Sequence, residues 1–500
     1  MNEICRRGFL KTMVAGGAFA ALGPDALGAK DPTGEKMKLG VLSDIHIDFS
    51  DGIFLQNFEK ALRKYDKWGA DAVLCCGDLT NLGYISQLEA VASTWFKVFP
   101  DNRRSDGGKV VPLFHYGDHD MSGDHYSKLP SEKKRFSSEE DRLSRILTPE
   151  NRKSVWERCF KEPWAPIVAT EVKGYAFVRS HFTFGEPGNP HGDNVPGLEA
   201  FLAKQKLNPD KPFFYLQHRV PRGTACGRFL ERHDDGTTTK ILSKYPNCFV
   251  FCGDAHRTCT DEKVLWQGAF TCLEVPSLRY CCTEAGRENG YNTADRPPAY
   301  PFQTMPQFPS HFDRSDPLSG AHQGFFVEVG SRSISVRGWD FKHDLAMAGT
   351  WRVPLPLVGD RPFDPVRRAK DETVPQFAAN AEIAFTGVRA KDRGGNEQDF
   401  VSVEFPAALE PRANDYLVRL EMVKGDVVRI LGERRVYSRS YMWGVEKEKE
   451  IPVVCLWPLR EIPEASAVRF SAIPCTAFGH CGKAISTKFG RFDHKTLALK

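Results

Sequence analysis

The 500-residue chain predicts an α/β domain built on parallel strands, followed by an all-β sandwich. Two observations carry that prediction. Strand-like and helix-like patterns alternate from Leu39 to Tyr116, and each apolar run stops at a polar cluster: Asp44-Ile45-His46, then Gly77-Asp78, then Gly117-Asp118-His119-Asp120. Past Trp351 the texture changes to short alternating segments.

The composition is that of an ordinary globular protein, with 41% hydrophobic and 26% charged residues, and the length allows two or more domains. A net charge of +4 without long like-charged runs gives nothing that points to nucleic acid as a dedicated partner. No stretch is long and apolar enough to span a bilayer.

Residues 1–29 read as a targeting segment. Cys5-Arg6-Arg7-Gly8-Phe9-Leu10-Lys11 resembles a twin-arginine export signal, with Cys5 where Ser or Thr is usual. A mildly apolar stretch, Thr12 to Gly23, follows, and Leu27-Gly28-Ala29 offers small residues for cleavage before Lys30. The alternative is a frayed terminus with a chance Arg pair. The signal implies the twin-arginine translocation machinery as a partner during export, and a periplasmic or secreted location. No Cys closes the apolar stretch, so no stable membrane anchor is expected. Of fourteen cysteines, Cys75, Cys76 and Cys252 sit in apolar strand patterns as buried thiols. Cys281, Cys282, Cys475 and Cys481 lie in loop-like stretches and could pair under oxidising conditions, but irregular spacing hides the connectivity.

Taken in order, Leu39 to Leu42 is a buried strand. Residues i and i+2 of a strand share a face, so Asp44 and His46 are expected to reach one ion together. Alone, the pair is a weak motif and reads first as a surface Asp and a hydrogen-bonded His. Phe54 to Trp68 has apolar residues at helical spacing and ends at Gly69. Asp71 to Cys76 is a strand, Tyr84 to Val98 a helix and Val110 to Tyr116 a third strand. Right-handed crossovers make these strands parallel, and ligands bind beyond their carboxyl ends. Met121 to Glu150 looks like an irregular insertion over the site, after which Thr148 caps a helix with Pro149 in its first turn. A hairpin over Ile167 to Ser180, a helix over Gly197 to Leu207, a strand ending in His218 and another ending in Gly253-Asp254-Ala255-His256 come next. Strands at Ala269–Val275, Phe325–Val329 and Ile334–Trp339 are expected to complete a second sheet, with a long Pro- and aromatic-rich loop from Cys281 to Gly320 between them.

Five blocks now stand in one order: Asp44-x-His46, Gly77-Asp78, Gly117-Asp118-His119-Asp120, His218 and Gly253-Asp254-x-His256. This order resembles the calcineurin-like metallophosphoesterase superfamily, over roughly Lys38 to Lys342. The resemblance implies a four-layer αββα sandwich and a hydrolase of small phosphoesters, mono- or diesters, using a metal-activated water between two divalent ions. It assigns Asp44, His46, Asp78 and His256 to one metal, with Asp78 bridging to a second held by Asp118, His218 and Asp254. It assigns His119 to protonating the leaving oxygen or holding the phosphoryl group, with Asp120 beside it in the catalytic motif. The alternative for His119 is a supporting histidine satisfied by Asp120. The purple acid phosphatase branch has a Tyr where Asn81 stands, so the phosphodiesterase and nucleotidase branch fits better.

Two positions depart from the pattern. Asp118 replaces the family's Asn, and Asp254 replaces its first His. Four carboxylates around two divalent ions leave little positive charge. Of Mn, Mg, Fe and Zn, the second position is therefore expected to favour Mn or Mg. The alternatives are a single-metal hydrolase and a non-catalytic binding protein that keeps the fold. The expected boundaries are 30–350 for the phosphoesterase-like domain, 351–376 for a Pro-rich linker and 377–500 for the β-sandwich. Ala467 to Ile473 and Phe478 to Lys483 resemble the end of a fibronectin type III domain.

Overall fold

The computed structural model describes residues 36–49, 52–183, 196–226, 233–282, 284, 287, 322–342, 344–371, 373–391, 396–409, 413–438 and 452–500. The twin-arginine segment, 1–29, and most of the loop 281–320 lie outside these residues. The first half follows the expected order: β1 (Met37–Leu42), α1 (Ile53–Trp68), β2 (Ala72–Cys75), α2 (Ile85–Val98) and β3 (Val111–Phe114). The three strands pair in parallel, with Val41 opposite Leu74 and Leu74 opposite Leu113. α1 buries Phe54, Phe58, Ala61, Leu62 and Tyr65, and Gly69 ends it in the left-handed region at φ 80°.

A short helix, α3 (Asp118–Met121), leads into the stretch expected to be irregular, which itself holds three more: α4 (Gly123–Ser127), α5 (Pro130–Lys133) and α6 (Glu139–Arg145). α7 (Arg152–Phe160) starts later than expected. Asn151 occupies the position before its first turn and makes no side-chain cap. Thr148 closes the turn ahead of it: Asn151 N donates to Thr148 Oγ1 at 3.4 Å, Arg152 N to Thr148 O at 3.0 Å, and Thr148 N to Asn151 Oδ1 at 3.0 Å.

The second sheet is built from the hairpin β4 (Ile167–Val172) and β5 (Tyr175–Ser180), then β6 (Phe213–Leu216), β7 (Cys248–Cys252), β8 (Leu265–Gln267) and β9 (Thr271–Glu274). Helices α8 (Leu198–Lys204) and α9 (Thr237–Leu242) fall between its strands in sequence. One expectation is overturned. β10 (Gln323–Val329) and β11 (Ser333–Asp340) do not join this sheet. With β12 (Leu345–Pro354) they extend the first, in the order β12-β11-β10-β1-β2-β3, and β10 runs antiparallel to β1. The free edge of β1 needs hydrogen-bond partners, and a returning strand supplies them.

Leu39, Val41 and Leu74 from the first sheet meet Phe177, Phe214, Val250 and Leu273 from the second in one buried cluster, which Leu198, Leu202 and Leu242 extend. On the other face of the first sheet, Leu42, Val73 and Cys75 pack with Phe58, Leu62, Leu88 and Val91 of α1 and α2. This is the expected αββα layering. Each fully buried large side chain contributes about 1.5–3 kcal/mol, so the two clusters fix the strand ends that carry the polar motifs.

The C-terminal part is all β. β13 (Ala384–Lys391), β14 (Glu397–Phe405) and β17 (Val453–Pro458) form one antiparallel sheet. β15 (Asp415–Lys424), β16 (Val427–Tyr437), β18 (Ala467–Cys475), β20 (Gly490–Asp493) and β21 (Ala498–Leu499) form the other, with β19 (Ile485–Ser486) beside β18. Val401, Val403, Tyr416, Val418, Trp457 and Phe470 fill the core between them. Cys475 and Cys481 form a disulfide, and the eleven other described cysteines are buried. Arg287, from the segment after Cys282, pairs with the buried Asp415 of β15 at 2.7 Å. Among the described residues no helix is long and apolar enough to cross a membrane.

Candidate metal centre

β1 stops at Leu42, before its polar motif. Asp44 and His46 therefore do not converge by strand alternation, as the sequence led us to expect. Both sit in the left-handed region, at φ 50° and 42°. Asp78, Asp254 and His256 share that conformation, at φ 50°, 66° and 53°. Left-handed non-glycine residues are uncommon, and such strain concentrates at functional sites. Here it turns side chains from the ends of β1, β2 and β7 toward one point. Glycines make the approach possible. Gly77 has φ 85°, and a Cβ there would lie 2.4 Å from His218 Nδ1. A Cβ on Gly117 would lie 2.2 Å from both the amide nitrogen and Oδ1 of Asp78.

Asp44, His46, Asp78 and His256 are buried and offer four ligand atoms within 4.8 Å of one another. His256 Nε2 is 3.0 Å from Asp44 Oδ1 and 3.3 Å from His46 Nε2. Asp118, His218 and Asp254 form a second group of the same kind, and Asp78, Asp118 and His119 a third. Asp78 stands between them: its Oδ2 is 3.5 Å from His46 Nε2, and its Oδ1 is 3.3 Å from His218 Nε2. His218 Nε2 is also 3.4 Å from Asp118 Oδ1.

The supporting contacts fix the tautomers. A carbonyl only accepts, so His218 Nδ1–H donates to Cys76 O at 2.8 Å and His256 Nδ1–H donates to Tyr280 O at 3.2 Å. Each ring then presents Nε2 to the centre. The electrostatics point the same way. Burial pushes Asp78 up to about 7, against the pull of His218 and with the push of Asp118. Burial opposes ionisation of Asp44 and Asp118 too, but His256 holds Asp44 below the usual carboxylate range, and His218 holds Asp118 well below it. Asp118 Oδ1, His218 Nε2 and His46 Nδ1 are buried without a hydrogen bond. Crowded carboxylates, inward Nε2 atoms and orphaned donor atoms fit divalent cations, with carboxylate oxygen and imidazole nitrogen as the donor set.

His119 and Asp120 separate. His119 Nδ1 faces Asn81 O at 2.8 Å, and its Nε2 meets the Tyr126 hydroxyl at 3.1 Å. Its ring edge lies over His46, with centroids 4.5 Å apart. Asp120 does not touch the His119 ring. Its carboxylate accepts from Leu79 N, Thr80 N, Thr80 Oγ1 and Gly117 N at 2.7–3.1 Å, which uses its acceptor capacity on the backbone of two loops. The Asp120 carboxylate thus fastens these loops to each other.

Several neighbours escaped the sequence reading. Arg219 donates to Asp118 Oδ2 at 2.8 Å, and His233 Nδ1 lies 3.0 Å from Asp254 Oδ2. Tyr280 packs on His256, with ring centroids 4.4 Å apart, and Arg279 donates to His46 O at 2.6 Å. The one available signal was Arg219 following His218 directly. Of the two loops expected to wall the site, 121–150 reaches it through Tyr126. The other begins at Cys281 and lies mostly outside the described residues.

The model of the calcineurin-like phosphoesterase family matches residues 37–258. No curated protein matches. Solved structures similar in part include a predicted phosphoesterase from Streptococcus pneumoniae TIGR4 (12% identity, 64% of this chain and 99% of that one, TM-score 0.25). A dimetal phosphatase from Danio rerio (10% identity, 64% and 98%, TM-score 0.32) is another. GAP50, the anchor in the inner membrane complex of Plasmodium, is a third (9% identity, 63% and 88%, TM-score 0.35). The assignment rests on the family match and on the five motif blocks gathered at the strand ends: residues 37–258 of this chain form a calcineurin-like phosphoesterase domain.

Proposed function

We propose that the chain is a metal-dependent hydrolase of small phosphoesters working at a dinuclear centre. The observation that carries this reading is Asp78, whose two oxygens face different ligand groups. Asp44, His46 and His256 would complete one cation site, and Asp118, His218 and Asp254 the other. Cations bound there supply Lewis acidity toward water and the phosphoryl oxygens. The chain's own residues do the rest. Tyr280 and Arg279 brace the loops beneath His256 and His46. His119, held by Asn81 O and turned toward the cluster, is placed to protonate a leaving oxygen or to hold the phosphoryl group. Four carboxylates favour Mn or Mg at the second site and diester monoanions over monoester dianions. The twin-arginine pattern supports export to the periplasm or beyond, and the two antiparallel sheets after 377 are compatible with a fibronectin type III-like module.

The test is elemental analysis of purified protein, counted per chain, alongside hydrolysis of a chromogenic phosphodiester. We expect two divalent ions in the parent. Asp78→Asn should lose metal at both positions and reduce turnover at least about 100-fold, the scale of a lost charge-stabilising group. Parent-like metal content and turnover in Asp78→Asn would remove the dinuclear reading.

A further inference from the structure

We propose that Arg219 is the counter-charge of the second cation site: it occupies one oxygen of Asp118 and restores part of the positive potential that an anionic substrate needs. This rests on the metal-dependent reading above. Asp118 Oδ2 is taken by the Arg219 guanidinium at 2.8 Å, while Oδ1 is buried, has no hydrogen bond and faces His218 Nε2 at 3.4 Å. The aspartate therefore offers its neighbours one oxygen, as an amide would. Arg219 is itself held. It donates to His233 O at 3.1 Å, and its guanidinium lies over the Phe182 ring, 4.8 Å from the centroid. A guanidinium keeps its charge at every accessible pH, so four carboxylates are offset by one fixed positive charge beyond the bound cations. The same segment serves the other unusual ligand, because His233 Nδ1 takes Asp254 Oδ2.

The consequence is a charge balance that can be broken and repaired. Inorganic phosphate is the probe, titrated calorimetrically into Mn-loaded full-length protein. Arg219→Ala makes the site one unit more negative, so phosphate affinity should fall about tenfold or more, while Mn remains bound. Asp118→Asn makes it one unit more positive, and phosphate should bind tighter. The double variant Asp118→Asn/Arg219→Ala should return to within about threefold of the parent, because the two unit charges cancel. If Arg219 instead gripped the anion directly, or served only the fold, the second change would not repair the first, and that result overturns the proposal. So does an unchanged phosphate affinity in Arg219→Ala. Arg219→Gln keeps a donor for Asp118 without the charge, and should lose phosphate affinity as the alanine does; this variant carries the test if the alanine form does not fold. A parent that binds no more Mn than Asp44→Asn would defeat the metal-dependent reading itself, a distinct outcome.

Discussion

At the scale of single residues, the chain spends conformational strain to bring charge together. Five of the ligand candidates lie in the left-handed region, at an expected cost of about 1–3 kcal/mol each. That cost must be met by what surrounds them, and Asp120 is one of the supports. It holds Leu79, Thr80 and Gly117 in place through four hydrogen bonds. Asp120→Ala leaves these donors buried and unpaired, so urea unfolding should show a loss of about 3 kcal/mol or more. His119 should keep its contacts in that variant, so the pH profile of turnover should keep its shape. The ligand positions were legible in the sequence because each follows an apolar strand and three follow a glycine. The aspartates at 118 and 254 were legible as departures. Their partners Arg219 and His233 were not, because which donor meets a carboxylate depends on rotamers and on segments far apart in sequence.

At the scale of elements, the strands and long helices of the first half matched their apolar periods to within a few residues. The four short helices over 118–145 did not announce themselves, since four to seven residues are too few to establish a helical period. β17 has no period to read, for another reason. Val453-Val454-Cys455-Leu456-Trp457-Pro458 is buried throughout and shows no alternation. The misplacement of β10 and β11 shows what periodicity cannot give: a pattern marks a strand but not its sheet. The side chain of Tyr65 records the actual arrangement, since its hydroxyl lies 3.2 Å from Val41 O of β1 and 3.1 Å from Phe325 O of β10. Tyr65→Phe removes that link from α1 to both strands. A destabilisation of about 1 kcal/mol is expected, read as a shift of the urea midpoint at constant slope. Gly40 belongs to the same arrangement, for a Cβ there would stand 2.5 Å from the Tyr65 ring.

At the scale of the whole molecule, the β-sandwich is tied to the segment that leaves the metal centre. Cys282 N donates to His256 O at 2.6 Å, and five residues later Arg287 reaches Asp415. Asp415 also accepts from Arg435 at 2.9 Å, and its side chain is 1% exposed. Asp415→Ala leaves two guanidinium groups facing a buried gap, and chemical unfolding should show a loss of about 3 kcal/mol. Asp415→Asn, which keeps the shape and some hydrogen bonding, should lose less. The described cysteines give the molecule a history as well as a shape. Eleven lie inside, and Cys475 and Cys481, six residues apart, are joined. An unfolded chain carrying that many thiols into an oxidising space would cross-link at random before its two sheets could close over them. For a chain exported as proposed, folding must therefore come before the crossing, and the core itself becomes the means by which the thiols survive it.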